Sequence, residues 1–165
     1  MSGREIQAQS SPRAATLNLA RADIGFAAAH FSIVDGRSER LHGHNYRVSL
    51  RAAGAVRADG TVVDFAVLKR ALRMACTELD ERTLLPARSP DLSILEREHE
   101  VEVTHESRRF VFPRSDVRLL PIVNTTCECL AAHLLELVRA GLGELAIRLE
   151  LRVEETPGQG ASAAE

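Results

Sequence analysis

The chain has 165 residues, about the size of one ordinary domain, and 45% of them are hydrophobic, which is the composition of a globular protein. A formal net charge of -2 gives no electrostatic basis for binding nucleic acid or an anionic membrane. No apolar run approaches the roughly 20 residues that span a bilayer, and the opening stretch MSGREIQAQSSPRAA lacks the apolar core of a secretory signal. Three cysteines, Cys76, Cys127 and Cys129, form no disulfide framework and read as reduced thiols of a cytoplasmic protein.

Residues 1–12 are polar and without pattern, and read as a flexible lead. A single domain is expected over residues 13–157, followed by a loose tail, GQGASAAE, over 158–165. TLNLARADI, from Thr16 to Ile24, alternates as a strand, and FAAAHFSIV continues it to the break at Asp35-Gly36. HNYRVSLRA, from His44 to Ala52, sets Tyr46, Val48 and Leu50 against Asn45, Arg47, Ser49 and Arg51, the pattern of a half-buried strand. GAVRADGTVV reads as a hairpin or long turn around Asp59-Gly60.

Asp64 is placed to cap a helix whose apolar stripe is Phe65, Leu68, Leu72, Ala75, Cys76 and Leu79. VEVTHESRRFVF reads as a β-hairpin. Thr125-Thr126-Cys127-Glu128 has the Thr-x-x-Glu form of a capping box, with a second helix through Leu130, Leu134, Leu137 and Val138. LAIRLELRVEE alternates as a last strand. Strands grouped apart from helices argue for an α+β fold.

His42-Gly43-His44 opens a strand, and side chains two apart on a strand share a face. His30 ends the preceding strand and supplies a third imidazole. Three neutral imidazoles with an open position make the ligand set of a catalytic zinc. A lone His-x-His also occurs as surface or satisfied core histidines, so the flanking residues carry the argument.

Those residues resemble a known family. Phe26-Ala27-Ala28-Ala29-His30 and Leu41-His42-Gly43-His44-Asn45-Tyr46 are similar to the 6-pyruvoyl-tetrahydropterin synthase family, which includes 6-carboxy-tetrahydropterin synthases. Val62-Val63-Asp64-Phe65, Leu68-Lys69, Leu79-Asp80, Asn124 to Glu128 and Glu155-Thr156-Pro157 extend the resemblance to Pro157. It implies a T-fold, an antiparallel sheet backed by two helices. It also implies a homo-oligomer, usually a hexamer, with pterin sites at subunit interfaces and zinc holding the substrate's hydroxylated side chain. Glu155 would take the pterin's guanidine-like edge, since a carboxylate accepts two parallel N–H bonds. Thr125 and Thr126 would add ring contacts, although a helix cap also accounts for Thr125 and Glu128.

Two departures bear on the reaction. Members that make pyruvoyl or carboxy products carry a cysteine where this chain has Ser38, a poor general base. Beside it stands Glu39, which resembles a subgroup using glutamate to cleave dihydroneopterin or its phosphates to 6-hydroxymethyl-dihydropterin; a solvated loop glutamate is the plain alternative. Where the family shows Asp-His, this chain has Asp80-Glu81, so Glu81 either replaces the proton shuttle or that step is lost. The expected activity is a zinc-dependent lyase acting on dihydroneopterin or its triphosphate. The alternatives are a pyruvoyl- or carboxy-tetrahydropterin synthase, a non-catalytic zinc- and pterin-binding protein, and a structural zinc module.

Overall fold

A computed structural model describes residues 13–165; the expected flexible lead at 1–12 lies outside the described residues. The strands are β1 (Ala14–Leu19), β2 (Gly25–His30), β3 (Ile33–Val34), β4 (Arg37–Ser38) and the long β5 (His42–Ala55). Helix α1 (Phe65–Thr77) separates these from β6 (Arg82–Pro86), β7 (Ser93–Glu96), β8 (Glu100–His105), β9 (Arg108–Pro113) and β10 (Val117–Leu120). Helix α2 (Cys127–Leu142), β11 (Ile147–Thr156) and β12 (Gln159–Ala164) complete the chain.

The main sheet runs β10-β6-β2-β5-β11-β12, with β1 pairing β5 beyond the end of β2. Strand β5 organises it, because its alternation buries Tyr46, Val48, Leu50 and Ala52 on one face. Ile147, Leu149, Leu151 and Val153 of β11 join that face. Both helices cover it, α1 through Leu68, Leu72 and Ala75 and α2 through Leu130, Leu134 and Val138. Asp64 caps α1 as expected, its carboxylate accepting from the Ala66 amide at 2.7 Å. A smaller cluster joins Phe31, Ile33, Leu85 and Val117 to Val101 and Val103 of the separate β7-β8-β9 sheet.

Three expectations need correction. The sheet is mixed rather than antiparallel, since β6 runs parallel to both β2 and β10. Parallel neighbours need long connections, and the β7-β8-β9 sheet occupies the one between β6 and β10. The first strand is broken: residues 20–24 turn, with the Ile24 amide bonded to the Arg21 carbonyl, before β2 resumes pairing with β5. Gly25 starts β2 because a Cβ there would lie 2.1 Å from the Tyr46 carbonyl oxygen.

The third correction is the tail over 158–165, which is not loose. Gly158 turns the chain at φ 86°, and β12 then pairs antiparallel with β11. Its small residues (Ala161, Ser162, Ala163) carry no hydropathy alternation, and pairing with β11, with Ala163 against the core, makes it a strand.

Candidate active site

His30 and His42 face each other across the β2–β5 ladder, and His44 is two residues along on the same face. Their ring centroids lie 4.6 Å (His30–His42), 5.3 Å (His30–His44) and 4.8 Å (His42–His44) apart. One ring nitrogen from each falls within 4.8 Å of the others. Hydrogen bonds fix which nitrogens are free. His30 Nδ1 donates to the Thr125 carbonyl at 3.1 Å, and His42 Nδ1 donates to the Arg40 carbonyl at 2.7 Å. Among the described residues, His30 Nε2 is buried with no hydrogen-bond partner. Burial, and then the neighbouring His42 and His44, push the His30 pKa down to about 4, so its imidazole is neutral at neutral pH. An orphaned lone pair on a neutral, buried imidazole beside two more imidazoles fits a zinc ligand set.

The histidines open on a hollow of about 250 Å³ lined by Glu39, Thr126, Cys127, Glu128 and Glu155 together with His42 and His44. Glu39 follows the short β3–β4 hairpin and folds back over it. Its Oε2 accepts from the Ser32 amide at 3.1 Å, while its own amide donates to the Ser32 carbonyl at 2.9 Å. Glu155 comes from β11, with Oε2 4.0 Å from His44 Nε2 and Oε1 accepting from Gln159. Ser38 Oγ accepts from the Arg108 guanidinium, which occupies one of its lone pairs and makes the hydroxyl a still weaker base. A larger hollow of about 930 Å³ lies at the end of β5, between β1 on one edge and the start of β11 on the other, and among the described residues no histidine or cysteine lines it. The chemistry gathers in the smaller one.

A family model described as 6-pyruvoyl tetrahydropterin synthase matches residues 20–165. The chain belongs to the 6-pyruvoyl tetrahydropterin synthase family. A protein of Methanocaldococcus jannaschii named as a putative 6-carboxy-5,6,7,8-tetrahydropterin synthase is 30% identical, over 88% of this chain and 92% of its own length. The 6-pyruvoyl tetrahydropterin synthase of Plasmodium falciparum superposes with a TM-score of 0.88 at 30% identity, covering 92% of this chain and 98% of that one. Its Plasmodium vivax counterpart gives 0.84 at 32% identity, over 93% and 98%. The fold is therefore the T-fold.

Not every expected residue of this family member reaches the hollow. Thr126, not Thr125, caps α2, its hydroxyl accepting from the Cys129 amide at 3.5 Å. Thr125 is fully buried behind His30, and its hydroxyl donates to the Phe31 carbonyl at 2.8 Å. Its carbonyl holds His30 Nδ1, and it is not among the residues that line the hollow. Asp80 and Glu81 grip β2 from the other side. Asp80 Oδ1 accepts from the Ala27 amide at 2.8 Å, and the Glu81 amide donates to the Ala27 carbonyl at 2.7 Å. Glu81, at φ 55°, lines a second hollow of about 460 Å³ with Gly43, Asn45 and Arg82. Gly43 and Asn45 lie on the sheet face opposite His42 and His44.

Three residues had no site signal in the sequence: Cys127 and Gln159, which line the hollow, and Arg108, which holds the Glu39 turn beside it. The motif has no cysteine near it in sequence, yet docking of α2 brings Cys127 Sγ to 3.7 Å from Glu155 Oε2. Burial, and then the Glu155 charge, push this thiol up to about 11. At neutral pH about one such thiol in 10⁴ is ionised. Iodoacetamide labelling of Cys127, followed by peptide mass spectrometry, is expected at pH 7.5 to run more than about tenfold slower than for an ordinary free thiol. Fast labelling at neutral pH would put a thiolate in the site and reopen cysteine-based chemistry.

Proposed function

We propose that the chain is a zinc-dependent lyase that converts 7,8-dihydroneopterin, or its triphosphate, to 6-hydroxymethyl-7,8-dihydropterin by retro-aldol cleavage. The observation that carries this reading is Glu39. It stands at the mouth of the histidine cluster with one carboxylate oxygen pinned by the Ser32 amide, while Ser38 is tied to Arg108. Solved structures of Plasmodium vivax 6-pyruvoyltetrahydropterin synthase in which a glutamate named as a catalytic residue becomes alanine or cysteine support a reading in which a glutamate is catalytic.

His30, His42 and His44 would hold zinc, which supplies Lewis acidity toward the hydroxyls of the substrate side chain. Glu39 Oε1 takes the proton of the side-chain hydroxyl whose carbon departs as an aldehyde. The electron pair of the broken carbon–carbon bond passes toward the pterin ring, and the carbon left on the ring is then protonated. Glu155 accepts the N–H groups of the pterin edge, and Gln159 holds its second oxygen in place. Thr126 lies on the hollow beside them. Glu81, which lines the other hollow, and Asp80 beside it are assigned to acid–base work across a subunit contact in a homo-oligomer, with a hexamer as the working state.

The test is incubation of zinc-loaded protein with dihydroneopterin and with its triphosphate, followed by chromatography and mass analysis. Hydroxymethyl-dihydropterin is the expected product. The archaeal relatives' names favour a second reading, a 6-carboxy-tetrahydropterin synthase, and a carboxy or pyruvoyl product would install it. Substrate that binds and returns unchanged would mean a pterin-binding protein without catalysis.

A further inference from the structure

We infer that Arg108 is a positioning residue for Glu39, an inference that rests on the carboxylate-base reading above. Strands β3 and β4 have two residues each, too few to hold the following turn rigidly by their own ladder. Arg108, at the start of β9, reaches across 70 positions of sequence to that turn. Its Nη1 donates to the Ser38 carbonyl at 3.3 Å, to Ser38 Oγ and to the Glu39 carbonyl. One guanidinium nitrogen thus holds both residues of the Ser38–Glu39 backbone.

The guanidinium is itself held in place. Its Cζ sits 5.0 Å from the centroid of Phe110, and Phe110 stacks on Phe31 at 5.3 Å. Phe31 directly follows His30, so the Glu39 turn and the histidine cluster are registered to one stack. Arg108 addresses carbonyl and hydroxyl oxygens, and among the described residues it forms no ion pair with the Glu39 carboxylate. It therefore fixes where the base stands without bonding the oxygen that must take a proton. The Ser32 amide holds Oε2 from the other side, and between them Oε1 has one place to be.

Arg108→Met keeps the apolar stem and deletes the donors; Arg108→Lys keeps a cationic donor without the planar fork. Displacing a catalytic group by about 1 Å costs on the order of 10²-fold in rate. The methionine variant is expected to lose about 10- to 100-fold in kcat on the zinc-loaded protein, with KM within about twofold and zinc content unchanged. The lysine variant should fall between it and the parent. Hydrogen exchange measured by mass spectrometry over residues 31–41, with and without zinc, should speed up in the methionine variant. A merely structural role would lower thermal stability and leave kcat alone. Unchanged kcat with a functional Glu39, a KM that rises as kcat falls, or lost zinc overturns the inference. So does unaltered exchange over 31–41. If the methionine variant fails to fold, the same readouts on the lysine variant decide. A Glu39→Ala protein that keeps its full rate removes the base itself, and the function reading fails with it.

Discussion

Replacing Glu39 with alanine is expected to lower kcat by about 10²- to 10⁴-fold, the usual worth of a positioned general base. KM and zinc content should stay near those of the parent. The carboxylate is not one of the three clustered imidazoles, and in this reading the pterin edge is taken by Glu155. Glu39→Gln sharpens the test. The amide keeps an oxygen that can accept from the Ser32 amide, so the turn is preserved and only the capacity to take a proton is lost. Both variants should therefore fall together, as seen by steady-state kinetics with chromatographic product analysis and zinc by atomic absorption. Full activity in the glutamine variant would show that Glu39 acts as a hydrogen-bond acceptor and that another group carries the proton.

Glu39 was singled out by its likeness to a subgroup of the family, and the structure sets it on the hollow beside His42 and His44; the histidines were legible because strand chemistry is local. His42 and His44 had to share a face of β5, and β5 had to begin beside the end of β2, so the three imidazoles converge as read. The capping threonine was misread for a physical reason. The Thr-x-x-Glu rule favours Thr125, whose partner three residues on is Glu128, but the Thr125 hydroxyl is taken by the Phe31 carbonyl, 94 positions away, and Thr126 caps the helix instead. Strands β6 and β10 are four or five residues of nearly unbroken apolar character, RTLLP and VRLL, with no period to announce them. Strand β12 is made of small residues and is stabilised by its neighbour's backbone. Arg108 and Cys127 belong to the site only through long-range docking, of the β8–β9 hairpin and of the start of α2. No spacing rule reaches that far.

Zinc itself should reveal whether the cluster is catalytic or structural. Among the described residues His30 Nε2 is buried and has no protein hydrogen-bond partner, as a nitrogen that ligates a metal would be. Zinc that binds only the folded chain would add about 2.7 kcal/mol at a free concentration 100 times its Kd. Calorimetry is expected to show the melting temperature rising with zinc and returning on chelation, with the chelated protein still folded. The large apolar cluster beneath α1 and α2, built from both helices and the main sheet, gives it that independence. His42→Ala isolates the metal's share. His42 is exposed, so its loss should change the metal-free melting temperature by only about 1–2 °C. Hydrogen-bond partners of metal ligands are worth about 10- to 100-fold in affinity, so loss of a ligand itself should exceed about 100-fold. The zinc-induced shift should then vanish in the alanine variant at zinc concentrations that saturate the parent. Unfolding of the parent on chelation would make the metal structural, and a parent whose melting temperature ignores zinc would leave the three histidines without a metal to hold.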